Sequence, residues 1–345
     1  MRRRIMNRRR RQFLAGAAQA ALAAGAAGAI GPGAGQAAEA SATSRPEPIP
    51  LVDTHQHLWD LTKLRLPWLK GDNPINRSFV MKDYLEATRG LGVVKAVYME
   101  VDVDPADHVA EAEYVLDICR RGDAPTCAAV IGGRPGEEGF RQYITRYRDN
   151  PYIKGVRHIP PVSEGRKPIF LDDPFVAGVR LLGELGMRFD LCVPPPFLLE
   201  GAKLIDRCPG TRFVLDHCGN ADVKQFLAAR GEGAGRDAGL HYVESWRRSI
   251  AVIAQRKNVV CKISGIIASV PKEGWTPDDL APIVNHCLEC FGPDRVMFAS
   301  DWPVCTLGAP LRRWVEVLRE VIRSRPLAEQ RKLLAENALK FYGLG

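Results

Sequence analysis

Residues 51–57 read Leu-Val-Asp-Thr-His-Gln-His and are followed by Leu58-Trp59. An apolar start favours a buried strand, and the polar residues that follow fall at its carboxyl end. A doubly wound nucleotide-binding sheet would carry a glycine-rich turn here, and His55-Gln-His57-Leu-Trp59 has none. Seven further β-rich apolar runs follow: Val93 to Val101, Thr126 to Ile131, Ile153 to His158, Arg188 to Val193, Arg212 to His217, Val259 to Ile263 and Val296 to Ser300. Between most of them the apolar residues take helical spacing, as in Val109, Ala112, Val115 and Ile118, or Val176, Val179, Leu182 and Leu185. Continuously apolar strands alternating with helices form a parallel sheet covered on its faces. Eight such units over residues 51–345 predict an α/β fold, a (β/α)8 TIM barrel. Leu327 to Tyr342 reads as an extra C-terminal helix that closes it. Three longer inserts, Asp60 to Met81, Pro160 to Asp173 and Asn220 to His241, follow strands 1, 4 and 6 and are expected over the mouth.

The chain has 345 residues, 46% of them hydrophobic and 26% charged, which excludes a disordered or fibrous protein. Its net charge of +8 is concentrated at one end. Residues 1–40 hold Arg2, Arg3, Arg4, Arg8, Arg9, Arg10 and Arg11 against a single acid, Glu39, so almost nothing is left for the body. A near-neutral body has no footprint for nucleic acid, and a small-molecule substrate is the expected partner. Oligomeric state is not legible. The arginines, Gln12-Phe13-Leu14 and the Ala/Gly run to about Ile30 resemble a twin-arginine export signal, with Ala38-Glu39-Ala40 as a cleavage site. The run is too short and too weakly apolar for a stable membrane anchor. The expectation is a signal over 1–40, a linker over 41–50 and a periplasmic or otherwise exported barrel. Nine cysteines, an odd number with several inside apolar runs, read mainly as small buried side chains. Cys287-Leu-Glu-Cys290 lies on a helix-like stretch without a second pair, so packing is preferred there to zinc.

In a barrel of this kind chemistry sits at the carboxyl ends of the strands. Those ends supply His55 and His57 from strand 1, Arg157-His158 from strand 4, His217 from strand 6 and Asp301-Trp302 from strand 8. Strand alternation points His55 and His57 the same way. Alone, a His-x-His pair is common and weak. With His217 and Asp301 it makes a mixed N/O set suited to Zn2+ or another divalent ion. The ordinary alternative for Asp301 is a cap on the next helix, and for Trp59 and Trp302 it is core packing.

The phrases Val52-Asp-Thr-His55-Gln-His57-Leu-Trp59-Asp60, Gly155-Val-Arg157-His158, Phe213-Val-Leu-Asp216-His217-Cys-Gly219, Lys262-Ile-Ser-Gly265 and Phe298-Ala-Ser-Asp301-Trp-Pro303 resemble the amidohydrolase-related family. The nearest branch is that of sugar-lactone hydrolases of the fuconolactonase and rhamnonolactonase type, with pyrone-dicarboxylate lactonase as a cousin. The resemblance runs from about Leu51 to Tyr342. It implies that His55, His57, His217 and Asp301 are the metal set and that Asp301 is the general base. Strand 5 here reads Phe189-Asp190-Leu191 where many metal-dependent relatives carry a histidine, and strand 4 ends in Arg157-His158 where some carry a lysine. These departures speak against two metals and leave open a site that works with one divalent ion or with none.

The expected reaction is the opening of a cyclic ester. Asp301 would deprotonate water, with His217 and His158 as further catalytic candidates. Arg157, Lys262, Trp59 and Trp302 would contact substrate. Two alternatives stand beside it: non-hydrolytic decarboxylation of an unsaturated acid in the same fold, and a barrel that binds sugar acids without turnover.

Overall fold

The structure is a computed structural model and describes residues 49–163, 165–233 and 235–345. The export signal expected over 1–40, and the linker as far as residue 48, lie outside the described residues.

Eight parallel strands lie in sequence order: β1 (Leu51–Gln56), β2 (Val93–Met99), β3 (Thr126–Gly132), β4 (Ile153–Arg157), β5 (Arg188–Leu191), β6 (Arg212–Leu215), β7 (Val259–Ile263) and β8 (Val296–Phe298). The end of β1 meets the chain leaving β8, where the His57 N–H donates to Trp302 O at 2.8 Å and the Asp301 N–H to His55 O at 2.9 Å. The result is the expected (β/α)8 barrel, with helices between the strands.

Inward-facing residues near the amino ends of the strands are aliphatic: Val52, Val97, Ala128, Val130, Val214, Val260 and Met297 pack together. Below them the C-terminal segment adds Ala335, Ala338, Phe341 and Tyr342, so the stretch expected to close the barrel is its bottom plug. Cations hold the plug by its carbonyls. Arg188 donates to Phe341 O at 2.7 Å and Lys95 to Leu344 O at 2.8 Å, at a helix end whose dipole favours positive charge.

Alternation carries each strand from this apolar floor to polar residues at its carboxyl end, and β1 does so with one irregularity. Asp53 and Gln56 pair with Ala96 and Tyr98, three residues of β1 against two of β2. The bulge keeps both Asp53 and Gln56 outside the barrel. There Asp53 accepts from Ser300 N–H at 2.8 Å and from the Tyr84 hydroxyl at 2.8 Å, tying β1 to β8 and to the helix Met81–Ala87. His55 and His57, either side of Gln56, both point inward.

The inserts divide their work. The first places Trp68, and the third Asn220 and Asp222, in the wall of the main cavity, whereas Pro161, Ile169 and Asp172 of the second line a smaller neighbouring one. All nine cysteines are free thiols, six of them buried. Among the described residues no helix is long and apolar enough to cross a membrane.

Candidate active site

Asp301 sits at the centre of the carboxyl end of the barrel. Its Oδ1 is 3.3 Å from His57 Nε2, 3.7 Å from His55 Nε2 and 3.9 Å from His217 Nε2, and all four side chains are buried. The chain is bent to bring them there. Asp301 has φ +56°, and His217, Cys218 and Asn220 have φ +55°, +53° and +54°. Left-handed backbone costs a non-glycine residue roughly 1 kcal/mol or more, and it collects at functional sites. Gly265 makes room for this turn, since a Cβ there would lie 2.5 Å from His217 Cβ.

Two of the imidazoles are oriented from behind. His57 Nδ1 lies 3.0 Å from Met99 O, which can only accept, so Nδ1 carries a proton and Nε2 faces Asp301. His217 Nδ1 contacts Ser264 Oγ at 3.0 Å. Burial first, and the Lys262 charge second, push His55 well below the ordinary histidine range; burial also lowers His217. Both are neutral bases at neutral pH.

Clustered nitrogen and oxygen donors are what a divalent ion needs. With metal–donor bonds near 2.0–2.1 Å, tetrahedral ligand atoms are about 3.3 Å apart, close to the separations from Asp301 Oδ1. His55, His57 and Asp301 form one group whose ligand atoms lie within 4.8 Å of one another, and His55, Asp216 and His217 form a second. The residues present therefore fit an ion held by N and O donors, and neither group contains a cysteine.

A layer of buried charge, which inspection of strand ends missed, lies beside and beneath this set. Arg157 is locked to Glu100, Nε to Oε1 at 2.5 Å and Nη2 to the backbone O at 2.8 Å, with Nη1 3.3 Å from His55 Nε2. Lys262 Nζ reaches Asp190 Oδ2 at 2.5 Å, Asp216 Oδ1 at 3.1 Å and His55 Nδ1 at 3.4 Å. Burial alone would lower the lysine, but Asp190 and Asp216 hold it above its usual value. Burial would likewise raise Asp216, yet Lys262 and then His55 hold it well below the carboxylate range. Charges inside apolar strands, such as Asp190 between Phe189 and Leu191, were the available signal.

Above the site opens a cavity of about 560 Å³, with His57, Arg157, His217 and Asp301 at its floor and Trp59, Trp68, Val101 and Ile159 among its walls. Three of the expected site residues do not line it, the substrate contacts Lys262 and Trp302 and the catalytic candidate His158. Lys262 is fully buried among the acids below the floor and does not line the cavity. Trp302 turns outward, edge-on to Phe79 and Tyr84 at 5.4 and 5.3 Å, because the residue after an inward Asp301 faces the helical layer. His158, also one step on from an inward residue, stacks on Phe175 at 5.8 Å beside the smaller cavity. Trp59 does line the main cavity, with its indole N–H donating to Arg77 O at 2.6 Å.

Comparison with known proteins finds relatives over most of the chain. L-fucono-1,5-lactonase of Burkholderia multivorans is 27% identical over 290 residues, covering 82% of this chain and 92% of that protein. L-rhamnono-gamma-lactonase of Scheffersomyces stipitis is 23% identical over 341 residues, covering 85% and 98%. The crystal structure of a zinc-bound amidohydrolase from Burkholderia multivorans superposes with a TM-score of 0.72 at 23% identity, covering 85% of this chain and 99% of that one, and so shares the fold. The family model described as Amidohydrolase matches residues 52–344, and the chain belongs to that family of hydrolases.

Proposed function

We propose that this chain opens a small cyclic ester, a sugar-acid lactone, with Asp301 as general base. The observation that carries the reading is one carboxylate oxygen 3.3 to 3.9 Å from the Nε2 atoms of three histidines at the floor of an open cavity. Two named lactonases among its relatives support the substrate class.

Asp301 takes a proton from water as the water oxygen bonds to the ester carbonyl carbon. The bond from that carbon to the ring oxygen then breaks, and Asp301 returns the proton to the leaving alkoxide. One residue thus serves as base and then acid, which spares the site the separate acid once expected in His158. His57 and His217, fixed by Met99 and Ser264, direct Nε2 at the reacting centre. Arg157 presents positive charge to the carbonyl oxygen as it becomes anionic. A divalent ion held by His55, His57, His217 and Asp301 would supply carbonyl polarisation and a more acidic water.

The test is a panel of aldono-lactones followed by proton release, with carbon dioxide measured in parallel on unsaturated acids. Proton release supports the lactonase. Carbon dioxide alone makes the chain a decarboxylase, and binding without either product makes it a receptor. We also propose export through the twin-arginine signal. Replacing Arg9, Arg10 and Arg11 by Lys should keep the protein in the cytoplasm, and an unchanged exported fraction contradicts it.

A further inference from the structure

The imidazole of His55 divides two places where a cation fits. On its Nε2 side lie Asp301 and His57, with the Arg157 guanidinium at the edge, Nη1 3.3 Å from Nε2. On its Nδ1 side lie Asp190 and Asp216, and between those carboxylates, at 2.5 Å from one and 3.1 Å from the other, stands the ammonium of Lys262, 3.4 Å from Nδ1. That ammonium touches two carboxylate oxygens and an imidazole nitrogen, the donor types a divalent ion recruits. The acids also hold capacity in reserve, for Asp190 Oδ1 and Asp216 Oδ2 lack a hydrogen-bonding partner although fully buried.

We propose that Lys262 is a resident cation occupying a second metal position, so that the barrel accepts a single divalent ion on the Nε2 side of His55. A fixed positive charge needs no loading, cannot be lost to a chelator, and repels a second ion from the adjoining position. It also explains why Lys262 lies beneath the cavity floor. The inference does not depend on which ester is opened, because metal content is read without turnover.

The experiment is equilibrium dialysis of metal-stripped full-length protein against Zn2+, with protein-bound zinc counted by mass spectrometry and melting followed with and without zinc. Lys262→Ala should bind one equivalent more than the wild type, and zinc should raise its melting temperature by more than it raises that of the wild type. Lys262→Ala/Asp190→Asn, with one carboxylate of the vacated position neutralised, should lose the extra equivalent. A wild type that already holds two equivalents overturns the proposal. So does a Lys262→Ala protein with no gain, a gain that survives in the double variant, or a Lys262→Ala protein that fails to fold even in zinc.

Discussion

The two ends of this barrel are made from the same strands and obey the same alternation, yet they have opposite chemistry. At the bottom the inward positions are Val52, Val97, Val130, Val214 and Val260, plugged by Phe341 and Tyr342. At the carboxyl ends of the barrel's strands come the buried His55, Arg157, Asp190, Asp216, Lys262 and Asp301. The strain is distributed as unevenly as the charge. Every non-glycine residue of positive φ among the described ones, Asp102, His217, Cys218, Asn220 and Asp301, lies beyond the carboxyl end of a strand. The apolar end, with the helical layer, contributes burial of about 1.5–3 kcal/mol per large aliphatic side chain, and this offsets the cost of holding charges and left-handed turns at the other. Substitutions at the two ends should therefore separate stability from activity.

The largest effect is expected where the upper end is itself structural. Arg157→Met leaves Glu100 buried without its partner, at a cost of about 3–5 kcal/mol. Glu100→Gln/Arg157→Met should recover most of that loss in denaturant unfolding. Equal loss in the single and double variants would show that Glu100 does not depend on Arg157. Sequence alone assigned Arg157 to substrate, and the structure adds this second role.

Next comes Asp301→Asn. Asn tolerates left-handed backbone as well as Asp does, so φ +56° is preserved and only the proton acceptor is removed. Turnover should fall at least about 10²-fold with an unchanged melting curve. Near-wild-type turnover in the folded variant would end its assignment as base and leave it a turn residue.

The eight strands were legible because strands buried on both faces read as continuous apolar runs, which turns and helices interrupt cleanly. His55, His57, His217 and Asp301 were legible because strand ends are where such a barrel carries its polar side chains. The partners were not. Glu100 meets Arg157, and Lys262 meets Asp190 and Asp216, only after strands distant in sequence have closed into a ring. Facing was lost for related reasons. Trp302 and His158 each follow an inward residue, so being near the site in sequence placed them outside it. The bulge in β1 reverses the side that simple alternation assigns to Asp53.

Acid should affect the upper end through its imidazoles. Burial lowers His158 to about 4, and it also lowers His55 and His217. Each has a folded pKa below its unfolded value, so the unfolded chain binds protons first as pH falls. Their stabilising contribution is whole above about 6.5 and declines as pH drops toward 4 and past it, by on the order of 1–3 kcal/mol for His158. Unfolding measured from pH 7 to pH 4 should show this slope, and His158→Gln should make it shallower. A slope identical in that variant would mean His158 titrates alike in both states.

The smallest effect belongs to the bottom and tests whether that end is as free of polar function as it looks. Tyr342 belongs to the plug, and its hydroxyl is buried with no hydrogen-bonding partner. Burial holds it protonated, with its pKa raised, so it remains a neutral polar group in apolar surroundings. A buried hydroxyl without a partner costs about 1–3 kcal/mol of desolvation that nothing repays. Tyr342→Phe keeps the ring and its packing on Phe341, at 5.0 Å between centroids, and deletes only the oxygen. The variant should melt at the wild-type temperature or slightly above it, gaining at most about 1 kcal/mol after the ring settles, with turnover unchanged. A melting temperature several degrees lower would mean that the hydroxyl is bonded in solution to the acid layer above it. The boundary between the two ends would then lie one residue deeper than the packing places it.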